Sequence, residues 1–304
     1  MTSSGTQANF VDEAIAESRI PWLPKGRSSN QRRTLRLAAL CLVGYACSSN
    51  RDPDGGGHPD EVGASVVGVA GGTVSNPDGA KVVIPPGALA TDISGGIDQV
   101  PHLLLQPDGS LVVSVDIDEA GLGPDRTGVA RYHADGTLDD SFGMGGKLIL
   151  TAPQLAGGLA LQADGKLILV GSAVVEGSAV STDLAVMRLR VDGSPDPGFG
   201  SEGVVKTRFS TLNPQARARA VTLQPDGKIV VAGSEGLINS NFAAARYHPD
   251  GTLDTSFGVG GTLAIDFVYL DDSAGSVALQ PDGKIVLGGE GGERRGYALA
   301  RVLP

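Results

Sequence analysis

Short runs of alternating apolar and polar residues, each closed by a tight-turn signal, set the pattern of this chain from about residue 100 onward. Ala220-Val221-Thr222-Leu223-Gln224 predicts a strand, Pro225-Asp226-Gly227 a turn, and Lys228-Ile229-Val230-Val231-Ala232-Gly233 the returning strand. Proline presets φ at the first corner, aspartate accepts a local hydrogen bond, and glycine takes the left-handed conformation that makes a bulge. Phe242-Ala243-Ala244-Ala245-Arg246-Tyr247 predicts a third strand, matched at 128–132, 184–189 and 297–302, and 261–267 predicts a fourth. The returning strands at 167–170 and 285–287 are apolar on both faces, as expected of a sheet sandwiched between two others.

These elements recur. Gln106-Pro107-Asp108-Gly109 returns as Gln162-Ala163-Asp164-Gly165, Gln224-Pro225-Asp226-Gly227 and Gln280-Pro281-Asp282-Gly283, at spacings of 56, 62 and 56 residues. A second phrase keeps step: Arg131-Tyr132-His133-Ala134-Asp135-Gly136-Thr137-Leu138 leads to Ser141-Phe142-Gly143, with near-copies at 188–200 and 246–258. A fixed period of this size means stacked units that bury apolar surface against their neighbours. Four antiparallel strands per unit is the content of a propeller blade. The expected fold is all-β and β-propeller-like, with about four four-stranded blades and an N-terminal β-hairpin. Counting from residue 100 gives fifteen strands; the hairpin either caps the array or supplies a sixteenth, and closure of the blades, where it occurs, comes from the N-terminal side.

The combination Gln-Pro-Asp-Gly-Lys-Ile-Val-Val-Ala-Gly with Ala-Arg-Tyr-x-x-Asp-Gly-Thr-Leu-Asp-x-Ser-Phe-Gly resembles the bacterial delta-60 repeat over residues 97–304. The resemblance implies a propeller-like architecture and an envelope setting, and no activity. Upstream, Gly71-Gly72-Thr73-Val74, Asn76-Pro77-Asp78-Gly79-Ala80 and Ile84-Pro85-Pro86-Gly87-Ala88-Leu89 are similar to the opening of a ZU5-like β domain, within a hairpin segment at 63–96.

Composition narrows the chemistry. With 45 glycines against one Trp, five Tyr and seven Phe, the core must be built from Val, Leu, Ile and Ala. The net charge is −10, and residues 47–304 carry 18 basic against 31 acidic side chains, a net −13. That balance opposes nucleic-acid binding, which needs clustered Lys and Arg. Both cysteines, Cys41 and Cys47, precede the repeats, so the repeats hold neither a disulfide framework nor a thiolate zinc site. Arg32, Arg33 and Arg36 precede ten uncharged, mostly apolar residues, 37–46, too few to span a bilayer. Residues 1–46, read as an N-terminal extension and signal segment, resemble a bacterial lipoprotein signal, which implies a lipid on Cys47. An ordinary cleaved signal and a buried apolar segment are the other readings. Residues 47–62 read as a flexible tether.

Strand alternation puts the Gln-x-Asp-Gly turns and Asp-Gly-x-x-Asp connections at one end of every blade and all other loops at the opposite end. The first end is nearly constant, and Asp108, Gly109, Asp164, Gly165, Asp226, Gly227, Asp282 and Gly283 are read as structural turn residues. The second end varies, and loops on a rigid scaffold are the usual carriers of recognition. Its candidate ligand-binding residues are Asp116, Asp118, Glu119, Asp125, Glu235, Asn239, Asp271, Asp272, Glu290 and Glu293. Calcium at 116–119 or 271–272 is a secondary reading, since hard cations take carboxylates, but the spacings fit no known loop and no metal or cofactor is assigned. The Asp135/Asp139, Asp192/Asp196 and Asp250/Asp254 pairs are expected to bond turn amides. His133 and His248, with Arg190 at the equivalent place, read as strand-end polar residues, and Arg131, Arg188, Arg246 and Arg301 as structural. No catalytic constellation stands out. The expected function is a lipid-anchored envelope protein, outer-membrane or periplasmic to extracellular, whose propeller is a non-enzymatic binding or scaffolding module. Its partner would be a protein or surface polymer, with self-association if the blades leave an open edge. The alternative is a propeller hydrolase or lyase using Asp116, Asp118, Glu119 or Glu293.

Overall fold

The computed structural model describes residues 11–16, 72–75, 81–84, 102–117, 126–150, 154–178, 181–209, 215–267, 271–291 and 296–304. All regular structure among them is β. Four sheets of four antiparallel strands and one separate hairpin form two compact units, Gly26–Ile149 and Met1–Lys25 with Leu150–Pro304. The expected all-β, four-bladed content is what the chain forms.

The smaller unit holds the hairpin of β2 (Gly72–Ser75) and β3 (Lys81–Ile84), paired from Gly72 opposite Ile84 to Ser75 opposite Lys81. It also holds the first blade, β4 (His102–Leu105), β5 (Leu111–Ile117), β6 (Arg126–Tyr132) and β7 (Lys147–Leu150), in sequential order. Leu111, Val113, Val115, Ile117, Ala130 and Tyr132 form its core cluster.

The second blade is β8 (Gln154–Leu161), β9 (Leu167–Val174), β10 (Thr182–Leu189) and β11 (Val204–Thr207), and the third is β12 (Ala216–Leu223), β13 (Ile229–Glu235), β14 (Asn241–Tyr247) and β15 (Thr262–Ile265). The fourth contains β16 (Ser273–Leu279), β17 (Ile285–Gly291) and β18 (Gly296–Val302). Its outer strand is β1 (Val11–Ala16), giving the order β1-β18-β17-β16. The sixteenth strand therefore comes from a stretch read as part of the extension and not from the 63–96 hairpin. The two strands of the 63–96 hairpin satisfy their ladder with each other instead.

Why the returning strands are apolar on both faces is visible at β13. Ile229 and Val231 pack with Ile168, Val170 and Phe199 of the second blade, whereas Val230 and Ala232 pack with Ile285, Leu287 and Ala298 of the fourth. Adjacent residues of a strand point to opposite faces, so a middle sheet needs both parities apolar. Alanines at 243–245, all fully buried, let the flanking sheets approach, and fully buried Phe199, Phe242 and Phe257 fill the remaining volume. Tyr247 crosses to Thr207, its hydroxyl 2.7 Å from Oγ1, so its burial leaves no polar group unsatisfied.

Turn chemistry repeats as the sequence predicts. Gly109, Gly165, Gly227 and Gly283 have φ of 82–86°, and each Asp-Gly turn is closed by a bond from the glycine N–H to the glutamine carbonyl, 2.9–3.0 Å long. Gly251 is more constrained still. It sits at φ +89°, and a Cβ there would lie 2.9 Å from both Phe199 Cε2 and Val205 Cγ2 of the second blade. Gly251→Ala should lower stability by about 1–3 kcal/mol, read as a reduced denaturant midpoint at unchanged slope.

Candidate functional site

At the constant end, each of the first three blades builds the same polar chain. In the third, Arg246 Nε donates to Asp254 Oδ2 at 2.8 Å and its Nη2 donates to Ser256 Oγ at 3.2 Å, while the guanidinium lies 4.9 Å from the centre of the Phe257 ring. The other Asp254 oxygen accepts from the Ser256 amide and hydroxyl, at 3.1 and 2.6 Å. Lys228 Nζ completes it, 3.1 Å from Asp226 of the hairpin turn and 3.5 Å from Asp254. The first blade repeats the chain without its lysine, Ser110 standing in that place, with Arg131, Asp139, Ser141 and Phe142, and the second repeats it with Lys166, Arg188, Asp196, Gly198 and Phe199. His133, Arg190 and His248 each place a side-chain nitrogen 3.8–3.9 Å from the anchor aspartate of their blade, so a nitrogen-bearing side chain recurs at that position.

This end is an anchor. Burial pushes the Asp254 carboxyl up, but the Ser256 hydroxyl and amide and the Arg246 guanidinium outweigh it and hold the carboxyl well below its ordinary value. Asp139 is lowered by the Ser141 hydroxyl first, against the opposing effect of burial. At Asp196 burial again raises, and the Gly198 amide, Lys166 and Arg188 prevail. Lys166 is raised by Asp164 and Asp196, which it bridges at 3.1 and 3.2 Å. These groups are locked in their ionised forms and suit neither proton donation nor proton abstraction at neutral pH. The bonding of Asp135, Asp192 and Asp250 to the amide two residues on, at 2.8–2.9 Å, is the turn role expected of them.

The anchors also join neighbouring blades. Arg188 Nη1 donates to the Pro249 carbonyl, and Gly200 N–H donates to the Asp250 carbonyl at 3.0 Å. The second blade's anchor thus holds the third blade's turn. Sequence reasoning missed the linking lysines, although Lys two places after the Asp of three of the four Gln-x-Asp-Gly turns is a visible signal.

The variable end is best defined around the β13–β14 loop. Gly236 N–H donates to the Gln215 carbonyl at 2.7 Å, and Asn241 Nδ2 donates to Glu235 Oε1 at 2.8 Å. Asp271 Oδ1 accepts from the Ser240 amide at 3.2 Å, while Ser240 Oγ donates to the Asp272 carbonyl and the Ser240 carbonyl accepts from Asp272 N–H. Asn239 stands at φ 53°, a left-handed conformation that asparagine tolerates. The loop so braced presents Leu237 and Ile238 to solvent, 53% and 73% exposed. Ser240, Gln215 and this apolar tip were not singled out by sequence, because a loop tip carries no periodicity.

The proposed ligand residues separate accordingly. Glu235, Asn239 and Asp271 come together at this loop, and Glu290 lies exposed at the end of β17. Asp272 does not join them at the surface. It is fully buried and its Oδ2 accepts from the Phe267 amide at 2.8 Å, so it fixes the turn into β16. Asp116 lies on β5. Asp118, Glu119, Asp125, Glu293 and the lipidation residue Cys47 lie outside the described residues. Among the described residues no cluster of three or more His, Cys, Asp or Glu side chains can hold a metal ion.

Four segments, 106–142, 162–199, 224–257 and 280–304, match the model of a family described as a β-propeller domain of unknown function, DUF5122. Each begins at the glutamine of a hairpin turn, and the first three end on the anchor phenylalanine, so the shared pattern spans the constant end. No curated protein matches the chain. Similar solved structures include a gluconolactonase from Xanthomonas campestris, 14% identical with a TM-score of 0.42, covering 78% of this chain and 66% of that one. A protein of unknown function from Dyadobacter fermentans is 13% identical with a TM-score of 0.49, covering 80% and 71%. An exo-β-1,3-galactanase from Phanerochaete chrysosporium is 10% identical with a TM-score of 0.36, covering 70% and 48%. The chain thus spans just under two thirds of the gluconolactonase it matches.

Proposed function

We propose that this chain, whose four repeats match a β-propeller domain of unknown function, is a non-enzymatic binding or scaffolding module held at the cell envelope by a lipid on Cys47. The observation that carries the binding reading is the contrast between the two ends. At the constant end the charged groups are bound to one another in every anchor, so they serve the blades. At the variable end the described acids of the β13–β14 loop brace backbone and side chains around a fixed apolar tip, an arrangement suited to docking. Catalysis by paired carboxylates would need two of them converging in one site with separated acidities. The acids around Ser240 instead stand as acceptors for neighbouring amides.

The envelope setting rests on the basic cluster, the short apolar run and Cys47 of the sequence. Intact mass spectrometry of the N-terminus of protein from a native membrane fraction is the test. The expected result is loss of residues 1–46 and an acylated Cys47; an unmodified chain still carrying them sinks the lipid anchor.

A further inference from the structure

In three blades the outer strand follows its neighbour directly: β7, β11 and β15 succeed β6, β10 and β14 through the Asp-Gly-x-x-Asp connection. In the fourth blade the neighbour of β18 is β1, from the opposite end of the sequence. Its ladder sets Val11 opposite Val302, Glu13 opposite Arg301, Ala14 opposite Ala300, Ile15 opposite Leu299 and Ala16 opposite Ala298, with a bulge between Val11 and Glu13. An acid thus stands opposite a base, small residues opposite the buried Ala300 and Ala298, and an aliphatic residue opposite Leu299, which is 49% exposed. Cys47 lies between β1 and every other strand of this blade in the sequence. Hydrolysis of the Ala46–Cys47 peptide bond therefore severs β1 from the blade it completes. A strand edge without its neighbour presents a row of backbone donors and acceptors. Such an edge takes an extended peptide by main-chain bonding, with alternate side chains giving selectivity.

We propose that the outer edge of β18 is a strand-acceptor site. In the uncut chain Val11–Ala16 fills it. Cleavage ahead of Cys47 opens it to an extended segment of another protein, reading acid, small, aliphatic, small against Arg301, Ala300, Leu299 and Ala298. The trigger rests on the lipoprotein reading above, whereas the site rests on the β1–β18 ladder alone.

The test uses the full chain with a specific protease site inserted in the Gly-rich stretch 52–60, folded first and then cut. The probe is a fluorescein-labelled peptide of residues 8–19. The uncut chain should leave its anisotropy unchanged, and the cut chain should raise it as the probe exchanges with the resident fragment. Amide hydrogen exchange across 296–302 should be slow in the uncut chain and equally slow in the cut chain saturated with probe. A Glu13→Lys probe should bind about threefold more weakly and recover against Arg301→Glu, and an Ala14→Pro probe should lose tenfold or more (roughly the cost of a broken ladder). A resident fragment that does not exchange against excess probe, a scrambled probe that binds as well, or cut chains that pair with each other and exclude the probe would each overturn the proposal. The cut is made in vitro, so a negative result leaves Cys47 acylation to be judged by mass, and an unmodified Cys47 with successful exchange overturns only the trigger.

Discussion

Asp254→Ala is expected to destabilise the larger unit by about 3–5 kcal/mol, the cost of leaving a buried charge without its partner. The side chains of Arg246 and Asp254 are only 5% and 4% exposed. With the carboxylate gone, the guanidinium keeps the Ser256 hydroxyl and the Phe257 face but has no anion within its shell of described contacts, and the Ser256 amide loses its acceptor. Asp254→Asn should cost less, because an amide oxygen can still accept from Ser256. The decisive comparison is Arg246→Met with Asp254→Leu. Removing both charges at similar volume should recover most of the loss, since a buried pair returns little beyond its desolvation cost. Urea unfolding of the three variants and the parent checks this. A double change as destabilising as Asp254→Ala would mean that the loss does not come from leaving the Arg246 charge unpaired.

Apart from their lysines, which come from the preceding hairpin turn, the anchors were the most legible part of the sequence because their Arg, Asp and Phe lie within a dozen residues of one another and recur at a fixed period. Arg246, Asp254, Ser256 and Phe257 form one turn that is readable from residue order alone. The blade stack was legible too, since Ile229-Val230-Val231-Ala232 is apolar at both parities and only a doubly covered strand tolerates that. The donor of the sixteenth strand was not. Backbone ladders are indifferent to sequence distance, and both the 63–96 hairpin and the stretch around Phe10 to Arg19 carry strand-compatible residues. In the structure β2 and β3 pair with each other, and it is β1 that pairs with β18. At the variable end, sequence found the acids but not their roles. Adjacent Asp271 and Asp272 read alike, yet one is exposed and accepts from the Ser240 amide while the other is buried and accepts from the Phe267 amide. Which of two neighbouring carboxylates turns inward depends on the turn into β16, and a single sequence does not encode that in any short motif.

Acid should unfold this protein through the same anchors. A carboxyl whose acidity is stronger in the folded chain than in the unfolded one is protonated first in the unfolded state. Its contribution to stability is therefore complete above the unfolded value and is lost as pH falls through the folded value. The ordinary value is 3.8, and Asp139, Asp196 and Asp254 are all lowered from it. At Asp254 this holds although burial alone would raise the carboxyl, because the Ser256 and Arg246 bonds require the anion. Stability should accordingly be flat from pH 7 to about 5 and fall steeply below about pH 4. Within that window each carboxylate adds about 1.4 kcal/mol per pH unit to the slope. Urea midpoints measured in steps from pH 5 to pH 3 read this slope as protons taken up on unfolding. Asp254→Asn should reduce the uptake by about one proton. An unchanged slope in that variant would show that the steepness arises elsewhere, in the many exposed acids of a chain whose net charge is −10, and not in its anchors.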